Sequence, residues 1–241
     1  FSIKVNSGIS AFSAQQIVNL CFLGEQAFCN AISVDPARTQ NPAQPYLVIL
    51  TRPFNAASQK VRGVDIDASY RIPMAQGSGA FTIRGLATRY LENRFNSGVP
   101  GTVVLNSVGV NGGQTTTPKW IYRVSAGYDD DDFSITAVGR GVSAGKYVAN
   151  GIECQTTCPV STVNAPTYER NRVKGAFYVD LNLTQKFSVG GDDGRGEFFI
   201  NVTNLLNGDP ILLPETGLAA NSTYSDLLGR AFRVGVRFNL K

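Results

Sequence analysis

The chain has no histidine among its 241 residues, only one methionine and one tryptophan, and no apolar run long enough for a membrane helix. The missing histidine removes the usual general base near neutral pH, the Ser–His and Cys–His nucleophile pairs, and most zinc sites. A spanning helix needs about 18 or more consecutive apolar residues, so any membrane role falls to strands. Charge is also sparse: 17% of residues are charged and the net charge is +4. That excess is too small, and too dispersed, for a phosphate-tracking surface, so no nucleic-acid partner is expected. Nor is an enzyme, a cofactor or a metal expected, because no acidic pair stands out for carboxylate chemistry. A hydrophobic content of 43% nevertheless marks a folded chain.

What the sequence has in abundance is period-two alternation. In the last eleven residues Phe232, Val234, Val236, Phe238 and Leu240 alternate with Arg233, Gly235, Arg237, Asn239 and Lys241. One apolar and one polar face define a β-strand. The pattern recurs in Val64–Ile72, Phe81–Phe95, Trp120–Tyr128, Phe133–Arg140, Phe177–Phe187 and Phe198–Val202, and Phe1–Ile9 reads as a further strand. A helix-like patch lies at Ser13–Leu20 and a short apolar run at Tyr46–Leu50. Roughly eight long strands result.

Alternation alone does not say whether the apolar face meets a core or lipid. The connections do. Long ones, Ser10–Gln59, Asn96–Pro118, Ser143–Arg172 and Leu205–Leu228, alternate with the short Pro73–Gly79, Asp129–Asp132 and Gly190–Gly196. Every short turn therefore lies at one rim and every long loop at the other, as in outer-membrane barrels. The aromatics sort the same way. Tyr70, Phe81, Tyr128, Phe133, Phe187, Phe198 and Phe238 stand near the short turns, and Trp120, Tyr122, Phe177 and Phe232 near the long loops, all on apolar parity. Two such girdles about a bilayer apart are expected at headgroup level. Tyr90 and Tyr178 depart from the pattern by falling on polar parity. The expected fold is all-β, an antiparallel transmembrane barrel segment in contact with outer-membrane lipid.

Arg71, Arg84, Arg123, Arg140, Arg233, Arg237, Asp65, Asp67 and Asp180 share the polar parity. An arginine facing lipid near mid-bilayer costs roughly 2–4 kcal/mol, so this face meets water or partner charges. It either lines a lumen for a plug or an anionic solute, or forms ladders of paired Arg and Asp between neighbouring strands. The ladder accounts for most of these residues. The four cysteines form two close pairs, Cys21 with Cys29 and Cys154 with Cys158. Local disulfides in an oxidising compartment are the favoured reading. A four-thiolate metal site lacks the C-x2-C knuckles, and free thiols are the remaining alternative.

Three segments carry a family likeness. Lys60–Tyr70 resembles a strand with an x-x-G-x-E/D element. Asn201-Val-Thr-Asn-Leu-Leu-Asn-Gly-Asp-Pro210 resembles an N-x-x-N-L-x-N-x-x-P signature, and Leu228–Phe238 a terminal G-R-x-F-x-x-G-x-R strand. Together they resemble the C-terminal barrel portion of a TonB-dependent outer-membrane receptor. The ending Phe238-Asn-Leu-Lys241 departs from the terminal aromatic usual in such barrels. The resemblance implies a barrel of about 22 strands, of which residues 1–241 are the final third of a longer chain. It further implies a plug domain in that chain, a TonB inner-membrane complex as energy source, and uptake of a scarce ligand such as an iron-siderophore, cobalamin or oligosaccharide. A Gram-negative cell outer membrane is the implied location, with long loops extracellular and short turns periplasmic. A passive porin-type channel and a secreted β-sandwich binding module are the alternatives.

Other patterns read as chance or as plain turns. Leu213-Pro-Glu-Thr-Gly217 matches a sortase pentapeptide but precedes a loop and a strand. Asp129–Asp132 and Asp192-Asp193 are read as solvated turns, not calcium sites. Asn182, Asn201 and Asn221 fit the N-glycosylation pattern, the first two within strands.

Overall fold

The computed structural model describes residues 1–34, 47–51, 53–74, 78–96, 98, 103–112, 116–162, 164–189, 195–213 and 223–239. Outside them lie Pro214–Gly217 of the pentapeptide, Asp192 and Asp193, Asn221, and the last two residues.

In chain order the elements are β1 (Ser2–Ala11), α1 (Ala14–Phe22), α2 (Gln26–Cys29), β2 (Ile32–Val34), β3 (Leu47–Ile49), β4 (Pro53–Pro73), β5 (Ala80–Asn96), β6 (Trp120–Asp129) and β7 (Phe133–Val142). There follow β8 (Gly145–Lys146), β9 (Ile152–Glu153), β10 (Thr167–Tyr168), β11 (Arg172–Val173), β12 (Ala176–Ser188), β13 (Arg195–Thr203) and β14 (Ala231–Asn239). The eight long strands make one sheet in the order β1-β4-β5-β6-β7-β12-β13-β14. Once the short strands are set aside, that is chain order. Each described pair from β5 to β14 is antiparallel. The architecture is the all-β antiparallel one the alternation predicts, and β1 and β14 stand at the two ends of the strand order.

Two differences concern where elements end. The connection expected over Ser10–Gln59 is shorter, because β1 runs to Ala11 and β4 begins at Pro53. Ala57-Ser-Gln-Lys60 does not alternate, so its strand character leaves no period-two trace. The loop expected over Ser143–Arg172 contains two small ladders, β8 with β11 antiparallel and β9 with β10 parallel. Asn171 organises them. Its buried side-chain amide donates to the carbonyls of Val148 (3.1 Å) and Gly151 (2.9 Å) and accepts from the Val148 N–H (3.0 Å). Two-residue strands held by one side chain carry no periodicity to read.

The chain divides into two compact units, Ser2–Val61 with Asn93–Asn106, and Phe1 with Arg62–Glu92 and Ser107–Lys241. In the first unit α1 starts at a capping box, in which the Ser13 hydroxyl and the Gln16 side chain each accept the other residue's backbone N–H. Ile17 and Leu20, one turn apart, bury the inner face of α1 against Phe12, Phe28 and Ala31. The Phe12 and Phe28 rings meet edge to face at 5.1 Å. A disulfide between Cys21 and Cys29 closes the two helices on each other.

In the second unit the registers put one continuous apolar face across six strands. Phe81, Ile83, Gly85 and Ala87 stand opposite Tyr128, Ala126, Val124 and Tyr122. Those in turn face Ile135, Ala137, Gly139 and Gly141. The face continues through Leu183, Leu181, Val179 and Phe177 to Ile200 and Val202, and ends on Val234 and Phe232. It is not a covered core. Val124, Phe177, Phe232, Val234 and Val236 are all exposed, Val234 at 59%. The buried cluster of this unit, Val142, Ala176 and Tyr178 with Ile211 and Tyr224 against it, lies on the opposite face.

Candidate functional site: the polar face and its charged cluster

Odd–even parity delivers charged side chains to the second face, and the antiparallel registers bring opposite charges to neighbouring strands. Arg84 of β5 holds Asp67 of β4 through both forks, Nη2 to Oδ2 at 2.8 Å and Nε to Oδ1 at 3.2 Å. The Thr88 hydroxyl donates to Asp65 at 2.7 Å. Arg71 meets Asp129 at 3.5 Å, and Arg237 meets Glu197 at 3.2 Å. Arg233 and Arg237 both lie over the Phe199 ring. These contacts form the ladder of cross-strand pairs expected from the sequence. Most such pairs are exposed, where solvent screening leaves little net stabilisation.

One part of the ladder is more than a pair. Arg140 of β7 donates Nε to Asp180 Oδ2 at 2.8 Å and Nη2 to Asp180 Oδ1 at 3.4 Å and to Asp226 Oδ2 at 3.2 Å. Its guanidinium stacks on the Tyr178 ring at 5.2 Å. Tyr178 is 2% exposed and donates its hydroxyl to the Asp209 carbonyl at 3.3 Å. The parity exception in the sequence is thus the floor of an ion cluster. Tyr90, the other exception, packs its ring edge to face with Phe1.

The loop after β13 supplies the rest of the cluster. Asn204 and Asn207 adopt left-handed backbone conformations (φ +52° and +53°), which asparagine tolerates better than most residues. The Asn204 side chain exchanges two hydrogen bonds with Gly208, and its own N–H donates to Asp180 at 2.9 Å. The Asn207 oxygen accepts the Arg230 N–H at 3.1 Å. The asparagines of the N-x-x-N-L-x-N segment therefore turn the chain back onto the polar face. That turn brings Asp226, whose side chain is only 9% exposed, to Arg140, and lays Tyr224 beside Tyr178. The Tyr224 hydroxyl donates to the Asn111 carbonyl at 2.9 Å. Burial, with Tyr178 adding to it, pushes that hydroxyl up to about 12, so it stays a donor. Asp226, Tyr224 and the turning role of Asn204 escape sequence reading, since only the asparagine spacing announces them.

The predicted girdle residues occupy both ends of the other face. At the short-turn end Phe81 stands opposite Tyr128, the Tyr128 and Phe133 rings lie 6.4 Å apart, and Phe187 meets Phe238 edge to face at 6.1 Å. Phe198 flanks Gln185, and Tyr70 is exposed on β4. At the long-loop end Tyr122 and Phe177 stack at 6.4 Å across Gly141, and Trp120 carries Arg89 over its ring at 5.3 Å. Phe232 is exposed on β14. On β12 the two rows are ten residues apart, about 33 Å along a strand and roughly 23–27 Å at a barrel tilt of about 35–45°.

The cysteines take no part in the hydrogen bonds and ion pairs of the charged cluster. Cys154 and Cys158 are joined in a disulfide within the loop between β9 and β10, as Cys21 and Cys29 are between α1 and α2. With all four sulfurs paired, neither a four-thiolate metal site nor free thiols describe them. The pairing leaves Cys158 and its partner a local clasp on an exposed loop, with no place in the polar face. In the turn between β6 and β7, Asp130 Oδ1 accepts the N–H groups of Asp132 (2.9 Å) and Phe133 (2.7 Å), and Oδ2 accepts the Tyr128 hydroxyl (2.9 Å). The two backbone bonds, with the Tyr128 bond behind them, hold its carboxyl below the usual range. Among the described residues no three His, Cys, Asp or Glu side chains converge as metal ligands would.

A family model described as TonB dependent receptor-like, beta-barrel, matches residues 26–205, most of the chain. The chain belongs to that family. Membership implies an outer-membrane location and a receptor or transporter in general, not an enzyme. The match ends at Leu205, so the terminal strand with its G-R-x-F-x-x-G-x-R pattern lies beyond it. No curated protein and no solved structure matches the chain.

Proposed function

We propose that the sheet is a portion of the barrel wall of an outer-membrane receptor, and that the complete receptor takes up a scarce ligand by energy-coupled transport. The observation that carries this is the exposed apolar face, continuous over six strands and bounded at both ends by aromatics, backed by a face of ion pairs. A soluble sandwich buries such a face, whereas lipid is a solvent for it. On this reading Tyr70, Phe81, Tyr128, Phe133, Phe187, Phe198 and Phe238 rest at one lipid interface. Trp120, Tyr122, Phe177 and Phe232 rest at the other. The short turns are periplasmic, and the long loops, with disulfides made in an oxidising compartment, face outward. The polar face lines the lumen, where a plug domain of the same chain sits, and a TonB complex supplies the energy. An iron-siderophore, cobalamin or an oligosaccharide is the expected class of cargo.

The test is the full-length protein in a Gram-negative host. Recovery with outer membranes and heat-modifiable gel migration are expected, together with ligand uptake that stops when the inner membrane is de-energised. Recovery as a freely soluble monomer overturns the membrane assignment. Steady conductance in planar bilayers without coupling favours the passive channel.

A further inference from the structure

On the polar face Arg123 of β6 stands directly opposite Arg140 of β7. Like charges in that position repel unless each has a counter-charge. Arg140 has two. Arg123 feels Asp180 electrostatically, yet the oxygens of Asp180 and Asp226 are taken by Arg140 and by the N–H groups of Asn204 and Leu228. Among the described residues no hydrogen-bond acceptor or ion-pair partner reaches the Arg123 guanidinium. The polar face is also interrupted here by two exposed apolar side chains of β5 and β6. Leu86 lies opposite Arg123, and Ile121 lies opposite both Thr88 and Val142.

These residues border a cleft of about 300 Å³ that Tyr178 and Tyr224 also line. A second cleft of about 390 Å³, toward Arg84 and Asn182, shares Leu86 and Arg123 with the first. Small-molecule sites run upward from roughly 300 Å³ and combine apolar walls with few polar anchors. An arginine fork pairs best with a planar carboxylate.

We propose that Arg123 is the anchor of a binding site for a small organic carboxylate, whose hydrocarbon part lies between Leu86, Ile121 and the Tyr178–Tyr224 wall. The proposal deepens the reading of this face as a solute path and rests on it. The carboxylate comes from a free solute; an acidic side chain elsewhere in the same protein has the same chemistry, and the test separates the two.

Benzoate and its neutral counterpart benzamide are titrated against the full-length protein in lipid nanodiscs, by calorimetry and ligand-observed NMR. Benzoate is expected to bind and benzamide to bind at least tenfold more weakly. Arg123→Gln is expected to weaken benzoate tenfold or more, and Arg123→Lys less. Arg233→Gln, on the same face of β14, leaves it unchanged. Retained heat-modifiable migration shows that each variant folds. Equal binding of the two probes, no binding, or indifference to Arg123→Gln overturns the proposal. Binding that appears only after deletion of the plug overturns it in favour of an acidic side chain of the protein itself. A heat-modifiable outer-membrane protein that ignores benzoate defeats this inference alone, whereas a soluble protein defeats the transport reading beneath it.

Discussion

The two faces of the sheet between β5 and β14 are built from the same strands and differ only in parity, yet they are held together by different means. On the apolar face the side chains touch their neighbours through rings and methyl groups, and glycines at 139 and 141 make room for the Phe177 and Tyr122 rings from either side. On the polar face the strands are tied by ion pairs, and a loop folds back to bury Tyr178 and hold Arg140. A face that gathers no covering among the described residues, although it is the greasier one, depends on its surroundings for solvation. A face that gathers a loop and counter-ions is solvated from within the protein. The contrast supports, without reference to any relative, the proposal that one face meets lipid and the other a lumen.

Adjacent residues at one depth break the comparison most directly. Leu183 and Thr184 lie midway along β12 on opposite faces. Leu183→Arg is expected to destabilise the protein in bilayers by roughly 2–4 kcal/mol, and Thr184→Arg by less than about 1 kcal/mol, measured by urea unfolding from lipid vesicles. Equal costs would erase the distinction between the faces. Next in size is Arg140→Ala. It strands the nearly buried Asp226 carboxylate, and a fully buried pair broken this way costs about 3–5 kcal/mol. The half-open Asp180 side reduces this to roughly 1–3 kcal/mol. Adding Asp226→Asn should recover part of the loss, a non-additivity expected of contacting residues.

A smaller effect tests the packing of the apolar face. A methyl group on Gly141 would sit 2.8 Å from the Tyr122 hydroxyl and closer still to the Ala176 carbonyl. Gly141→Ala should cost about 1–2 kcal/mol, and Tyr122→Leu in the same chain should relieve only the aromatic part.

The smallest effect belongs to the turn between β6 and β7. The folded state depresses the Asp130 carboxyl, so its contribution is present above the ordinary value near pH 4. It is lost as pH falls through the depressed value. Amide exchange at Asp132 and Phe133 should therefore quicken, relative to the intrinsic rate, only below about pH 4; unchanged protection down to about pH 2 would remove Asp130 from the turn.

Parity, and the short turn between β6 and β7, were legible from residues alone because they are one-dimensional properties. The strand from Trp120 to Tyr128, the turn at Asp129–Asp132 and the sorting of the aromatics need only a count along the chain. The ladder was legible as a kind of contact, since antiparallel neighbours place Arg84 by Asp67 and Arg140 by Asp180 once registers exist. What was illegible depends on chain reversal. Asp226 lies 86 residues from Arg140 and reaches it through the left-handed backbone of Asn204 and Asn207. Nothing in the composition of Ser225-Asp-Leu-Leu signals that destination. The start of β4 was illegible for a different reason, because Ala57-Ser-Gln-Lys60 has no greasy parity to betray a strand.

Both disulfides bridge residues close in sequence, eight apart for Cys21 and Cys29 and four apart for Cys154 and Cys158. Closing so short a loop removes little chain freedom and ties no strand to another. One freedom in folding follows from this. Oxidation can be completed on a chain that has formed no sheet, and the oxidised chain remains an open polymer free to pair its strands. Register is left to the strands, because neither clasp joins one strand of the large sheet to another.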